Sequence, residues 1–235
     1  MVRFETVTFV YNEEFLLPFY LKHYAFCSRL NVIFDMDSTD KTLSILQSAK
    51  RMNIIPFRFP DMMDDVIKCD YINQIYRGVN DAFIINVDVD EFVFMDELPE
   101  DPVNRVALYN VYRNKKERDL DVNKPVRGQR CHGILDSTDG RSYVKPIVVR
   151  SGLDIEWNPG NHSLKNRPPT DPIIYKGAHW ANADLSFCVD RRVKNRRDRQ
   201  SAYNLKHKLT FQHHGISEQD VIDECKRHEN DPRIW

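Results

Sequence analysis

Apolar and polar positions follow two periods along the chain, and they change over several times between Glu5 and Val87. Glu5–Tyr11 is rich in Thr, Val and Phe and reads as a strand. Glu14–Phe26 follows with Leu17, Leu21 and Tyr24 on one helical face. Asn31–Phe34 is a short buried strand, Lys41–Arg51 a helix carrying Leu43, Ile45, Leu46 and Ala49, and Ile54–Phe59 a further strand. Val66–Val79 is then a helix and Ala82–Val87 a continuous apolar strand. Strands buried on both faces and separated by helices predict an α/β fold with a mostly parallel, doubly wound central sheet flanked by helices.

Beyond Asp88 the pattern loosens. Val106–Val111 and Tyr143–Arg150 read as strands, with a charged loop over Arg113–Arg130 between them. Ser151–Pro172 carries Asn-Pro-Gly, Pro-Pro and Asp-Pro breakers and reads as loop, and Ile173–Tyr175 is β-like. Asp184–Arg199 reads as a basic helix, and Ser217 is placed to cap a last helix running to about His228. No repeat and no strong linker interrupts the chain. Residues 1–235 therefore read as one domain, with a helical C-terminal tail over about 200–235.

Composition narrows the class. The chain has 235 residues, enough to bury ~70% of its extended surface without a disulfide or metal staple. Hydrophobic residues make up 41% and charged residues 29%, too apolar for disorder. The net charge of −1 removes whole-molecule attraction to nucleic acid as a default. No apolar run approaches the ~20 residues of a membrane span, and the first residues lack signal-peptide order, so any membrane association is expected to be peripheral. Five scattered cysteines without a C-x-x-C pair predict free thiols in a reducing compartment, and a cytoplasmic location is expected.

Local charge is less even. Twelve acidic residues fall between Asp61 and Asp101, against Lys68 and Arg77. Asp190–Arg199 instead holds six basic residues against two acidic ones. Solvated faces account for such runs, and so does a cation site facing a surface for anionic groups.

Ligands of open α/β sheets collect beyond the carboxyl ends of the strands. Three polar clusters fall there: Tyr11-Asn12-Glu13-Glu14, Asp35-Met36-Asp37-Ser38 and Asp88-Val89-Asp90-Glu91. Neither a G-x-G-x-x-G nor a G-x-x-x-x-G-K-[ST] sequence is present, so backbone cradling of a diphosphate is unsupported. A divalent metal on Asp88 and Asp90 would neutralise that charge. A charged turn after a buried strand explains most isolated D-x-D pairs.

The ordered set Phe9-Val-Tyr-Asn-Glu-Glu-Phe-Leu, His23-Tyr24, Ile33-Phe-Asp-Met-Asp-Ser-Thr-Asp-Lys-Thr and Asn86-Val-Asp-Val-Asp-Glu-Phe resembles family-2-type glycosyltransferases of GT-A fold. It is also similar to the family-92-like (formerly DUF23) group. Val144–Arg150, Gly160-Asn-His162 and His179-Trp180 extend the resemblance less sharply, to about residue 200. The resemblance implies a Rossmann-like nucleotide-diphospho-sugar transferase fold and a nucleotide-sugar donor, with UDP favoured. Tyr11, Asn12 and Glu13 would line the nucleoside pocket. Asp35 or Asp37 would accept a hydrogen bond from the base, while Asp37, Ser38 or Asp40 is equally placed to cap the next helix. Asp90 would contact Mn²⁺ or Mg²⁺ directly, and Asp88 would bind it through water or hold the ribose. His179 is the candidate third ligand, a structural role beside Trp180 being its alternative. Lys145, Arg191, Arg192, Lys194 and Arg196 are candidates to cover the diphosphate, though helical spacing allows only some onto one face.

Transfer needs a base for the acceptor hydroxyl, and the resemblance favours inversion. Glu91, Asp184, His162, Asp154 and Glu156 are the candidates. The expected acceptor is a glycan, a lipid-linked glycan or a protein, in polysaccharide biosynthesis. Two other readings compete: a catalytically inactive sugar-nucleotide or polysaccharide-binding module, and a metal-dependent phosphatase. A dehalogenase-type phosphatase needs Thr or Val two residues after its second Asp, and this chain has Phe92 there.

Overall fold

The computed structural model describes residues 2–135, 143–166, 173–209 and 215–235. Its first part follows the predicted alternation: β1 (Phe4–Val10), α1 (Leu17–His23), β2 (Arg29–Asp35), α2 (Thr42–Ser48), β3 (Met52–Phe57), α3 (Asp65–Gly78) and β4 (Phe83–Asn86). β1 pairs in parallel with β2 and β4, and β2 with β3. Alternate residues point to opposite faces. Val10, Val32 and Ile85 join a core under α1, while Val7, Ile33 and Ile84 join one under α3 with Cys69, Ile72 and Tyr76. Both faces of these strands are therefore dry, which explains their apolar runs. Asp64 starts α3 by accepting the Val66 and Ile67 amides at 2.9 and 3.2 Å.

The sheet continues with a different logic. β5 (Glu91–Phe94), β6 (Val103–Tyr112), β7 (Gly133–Ile134), β8 (Val144–Arg150) and β9 (Ile173–Asn182) complete nine strands among the described residues. Their order is β3-β2-β1-β4-β8-β6-β9-β5, with β7 on β6. β8 is antiparallel to β4 and β6, β6 is parallel to β9, and β5 is antiparallel to β9. Two elements differ from the sequence reading. Glu91–Phe94 is a strand and not the end of a polar turn, and β9 continues from the β-like Ile173–Tyr175 to Asn182. β5 finds its ladder partner only in β9, more than 80 positions later in the chain, and β9 lies between β5 and β6.

β5 is an edge strand whose open side is closed by side chains. Tyr24 Oη donates to the Glu91 carbonyl at 2.8 Å and accepts the Val93 amide at 3.1 Å. His23 Nε2 donates to the Val93 carbonyl at 2.9 Å. These bonds remove the unpaired edge groups and fix the strand that begins at Glu91.

The basic segment is helical but not uniformly α. α4 (Leu185–Val189) runs into a π-helical stretch, Asp190–Arg196, and a 3₁₀ turn, Arg197–Arg199. α5 (Ala202–His207) and α6 (Glu218–His228) follow, and Ser217 caps α6 with Asp220 in a reciprocal capping box, as expected. His213-His214 and the end of the Ser151–Pro172 loop lie outside the described residues. Among the described residues, no helix is long and apolar enough to cross a membrane.

Candidate functional site

The three polar clusters converge at the carboxyl ends of β1, β2 and β4. After β1 the chain turns through Asn12, which adopts a left-handed backbone (φ 49°), a conformation Asn tolerates. Asn12 Oδ1 accepts the Thr39 amide at 2.7 Å, tying the first cluster to the loop after β2. The Glu13 amide donates to Thr42 Oγ1 at 2.8 Å. Asp40 Oδ1 accepts the Thr42 amide at 2.9 Å, but the N-cap position of α2 is Lys41, whose side chain makes no capping bond, so none of Asp37, Ser38 and Asp40 is the N-cap residue.

Asp35 is fully buried, with Oδ1 on the Asp37 amide at 3.0 Å and Oδ2 on Arg199 at 3.0 Å. Asp37 is exposed and pairs with Arg58 at 3.0 Å. The Arg199 guanidinium also lies over the Tyr11 ring, 3.5 Å from its centroid. Tyr11, Asp35 and Arg199 thus form one corner, with a flat aromatic face and a carboxylate edge.

Each carboxylate of Asp88-Val89-Asp90-Glu91 meets its own cation. Asp88 Oδ1 takes Lys68 Nζ at 2.8 Å, Glu91 takes Lys145, and Asp90 Oδ2 takes Arg191 Nη1. Arg191 Nε also bonds Glu13 Oε1 at 2.9 Å, and Arg196 reaches the same oxygen at 2.7 Å. Burial opposes the charges of Asp88 and Asp90. Lys68 and Lys145 outweigh it at Asp88, and Arg191 and His179 at Asp90, so both carboxyls lie below the ordinary range. At Glu91 and Glu13 burial wins: both are pushed up, against Lys145 in one case and Arg191 and Arg196 in the other.

The π-helical stretch explains which arginines reach the site. Residues five apart in an α-helix differ by about 140° around the axis. The i→i+5 bonding of a π-helix brings them closer to one face. Arg191 and Arg196 share Glu13 in this way. Arg192 points elsewhere and pairs with Glu224 of α6 at 2.8 Å, while Lys194 pairs with Asp190 on the surface. Lys68 and Arg199 join the site although the motif reading did not single them out. Lys68 stood in the sequence as a rare cation within the acidic stretch.

His179 lies opposite Asp90. Its Nε2 stands 3.1 Å from Asp90 Oδ2, and its Nδ1 stands 2.6 Å from Asn110 Oδ1. β9 carries it there: His179 is the register partner of Glu91 on β5 and of Asn110 on β6. Asp90 Oδ1 is buried without a partner. An orphaned carboxylate oxygen beside an imidazole nitrogen suits a divalent cation. The other oxygen of that carboxylate, Oδ2, already meets both Arg191 and His179. Among the described residues, no set of three His, Cys, Asp or Glu side chains converges on one point. Asp90 and His179 are the two side chains that would meet a cation bound here.

The candidate bases are distributed unequally. His162 rests edge-on against Tyr143 (centroids 5.7 Å apart), and Tyr143 packs on His179 at 5.2 Å. Asp184 caps α4 through the Ser186 and Phe187 amides. Glu91 holds Lys145 and accepts the Asp88 amide at 3.1 Å. Glu156 pairs with Lys165 and Arg77 on the opposite side of α3. The structure brings Asp154 to none of these groups.

No protein-family model and no curated protein matches the sequence. Among solved structures, the chain is similar to that of S. aureus TarS, at 14% identity over 97% of this chain and 43% of that one, with a TM-score of 0.40. TarS 1–349 in complex with UDP aligns at 17% identity over 90% of this chain and 77% of that one, TM-score 0.40. TarS 1–349 in complex with UDP-GlcNAc aligns at 15% identity over 97% and 72%, TM-score 0.42. The chain spans less than half the length of the longest of these.

Proposed function

We propose that this protein is a metal-dependent glycosyltransferase of GT-A type that moves a sugar from a nucleotide-sugar donor, UDP-linked by preference, to an acceptor hydroxyl with inversion. The observation that carries this reading is the meeting of Asp90 and His179, 89 residues apart in sequence, with Nε2 and Oδ2 at 3.1 Å beyond the strand ends. Asp90 and His179 hold Mn²⁺ or Mg²⁺ in this reading, and the bound ion supplies Lewis-acid stabilisation of the departing diphosphate. Tyr11 and Asp35 receive the base in this reading, by a ring face and a carboxylate edge, once Arg199, which lies on both of them, is displaced by it. Arg191 and Arg196 stand where a diphosphate entering between Glu13 and Asp90 would meet two guanidiniums. Lys68 and Lys145 keep Asp88 and Glu91 neutralised and rigid.

On the acceptor side, His162 is the favoured base. Asp184 and Glu91 are already committed to backbone amides or to a lysine, whereas His162 lines the wall that carries His179. The acceptor is a hydroxyl of a glycan, a lipid-linked glycan or a protein.

The test is nucleotide release from UDP-, GDP- and dTDP-sugars in the presence of Mn²⁺, with and without a pool of glycan acceptors. Release that requires Mn²⁺ and disappears in the isosteric Asp90→Asn, which keeps an oxygen opposite Arg191, with the fold checked by circular dichroism, is the expected result. Donor binding without release in every arm would replace the transferase with a sugar-nucleotide-binding module.

A further inference from the structure

The contact that holds His179 from behind has a chemical consequence. Asn110 Oδ1 has no hydrogen to give, so at 2.6 Å the imidazole Nδ1 must be the donor. A neutral imidazole with its proton on Nδ1 presents a lone pair at Nε2, the atom that faces Asp90 at 3.1 Å. Asp90 Oδ2 already accepts Arg191, and its approach to Nε2 is satisfied by a proton on that nitrogen in the protonated ring or, with the ring neutral, by a cation between the two atoms. We infer that Asn110 is a positioning residue: it fixes the Nδ1–H tautomer of His179 and so keeps Nε2 free to bind the metal.

Several features fit that role and not a generic polar contact. Asn110 is 6% exposed and lies two residues before the end of β6, where a buried polar side chain needs a partner. It is the register partner of His179 in the parallel β6–β9 ladder, so the backbone sets the spacing of the two side chains. Tyr143 packs on the imidazole at 5.2 Å with a 32° tilt and restricts its rotation. The ring is therefore held by a ladder, by an acceptor and by an aromatic face. Outer partners of this kind typically govern metal affinity by ~10–100-fold.

The inference rests on His179 being a metal ligand, and two readouts separate the ideas. The first needs no metal. Nitrogen NMR of the metal-free protein labelled with ¹⁵N-histidine reports which ring nitrogen of His179 carries the proton. At a pH where the ring is neutral, wild type is expected to show the Nδ1–H form and Asn110→Leu to shift toward Nε2–H. Nε2–H in wild type would mean that the Asn110 amide donates instead, and the inference falls.

The second readout is Mn²⁺ binding, followed by electron paramagnetic resonance of the free ion. Asn110→Leu should bind Mn²⁺ ~10–100-fold more weakly. Asn110→Asp keeps an acceptor opposite Nδ1 and should stay within a few-fold of wild type. It also serves if Asn110→Leu misfolds. Equal Mn²⁺ affinity in Asn110→Leu and wild type, with His179→Ala impaired, overturns the positioning role alone. Unimpaired binding in His179→Ala overturns the metal-ligand reading, and the role of Asn110 toward the ion with it.

Discussion

Glu13 accepts a hydrogen bond from Arg191 Nε at 2.9 Å, joining the end of the first strand to a residue 178 positions later. The same guanidinium reaches Asp90, and all three side chains are buried. One cation thus connects the loop after β1, the loop after β4 and the π-helical stretch. A buried charge that serves two carboxylates is costly to remove, because both anions lose compensation in a medium that screens poorly.

Arg191→Met should therefore destabilise the protein by about 3–5 kcal/mol, the range for breaking a buried pair from one side. Adding Glu13→Gln to that variant should recover part of the loss, since it removes one stranded charge. Urea unfolding of the two single variants and the double variant measures this. A cost for Arg191→Met below ~1 kcal/mol would place the pair with ordinary surface bridges.

His23 offers a pH test away from the site. Burial lowers its pKa below the ordinary 6.5, against the smaller opposing effect of its bond to the Val93 carbonyl. The neutral ring is the folded form. The sign follows from that: the unfolded chain takes up a proton first, so the His23 contribution is complete above pH 6.5 and is lost as pH falls toward the depressed folded value. The stability gap between wild type and His23→Gln should shrink between pH 7.5 and pH 5. Chemical unfolding across ~pH 5–7.5 reads the gap directly, and a gap independent of pH would contradict the assignment.

Gly177 tests the β5–β9 ladder. A Cβ there would stand 2.7 Å from the Phe92 carbonyl oxygen and 2.7 Å from Leu108 Cδ2. The carbonyl belongs to β5 backbone and cannot swing aside like a side chain. Gly177→Ala should cost about 1–3 kcal/mol, as overpacking does. Because β5 begins at Glu91, the strain should also weaken Mn²⁺ binding. Thermal unfolding together with an Mn²⁺ titration checks both. A variant as stable as wild type would show that the two strands separate more easily than their pairing implies.

The chain order alone was enough to read the first half of the fold. β1 to β4 and the helices between them follow from local periodicity, because each strand is buried on both faces and each helix has one apolar stripe. Strand polarity then placed Tyr11–Glu14, Asp35–Ser38 and Asp88–Glu91 at one end of the sheet, as the structure has them. Residues with a local signal, such as Ser217 at its capping box, were legible in the same way.

Tertiary structure decided the rest. β5 carries only four residues and has no period of its own; its pairing with β9, where Phe94 meets Lys176 and Glu91 meets His179, makes it a strand. Asn110 carries no local signal within the Val106–Val111 strand, and only the β6–β9 register sets it behind His179. The arginines could not be sorted by a 3.6-residue period, because a π-helical stretch turns Arg191 and Arg196 to Glu13 and leaves Arg192 to Glu224. Local sequence records which face of an element is dry. The partner of a buried charge is chosen by a three-dimensional balance of desolvation and Coulomb attraction among groups far apart in the chain.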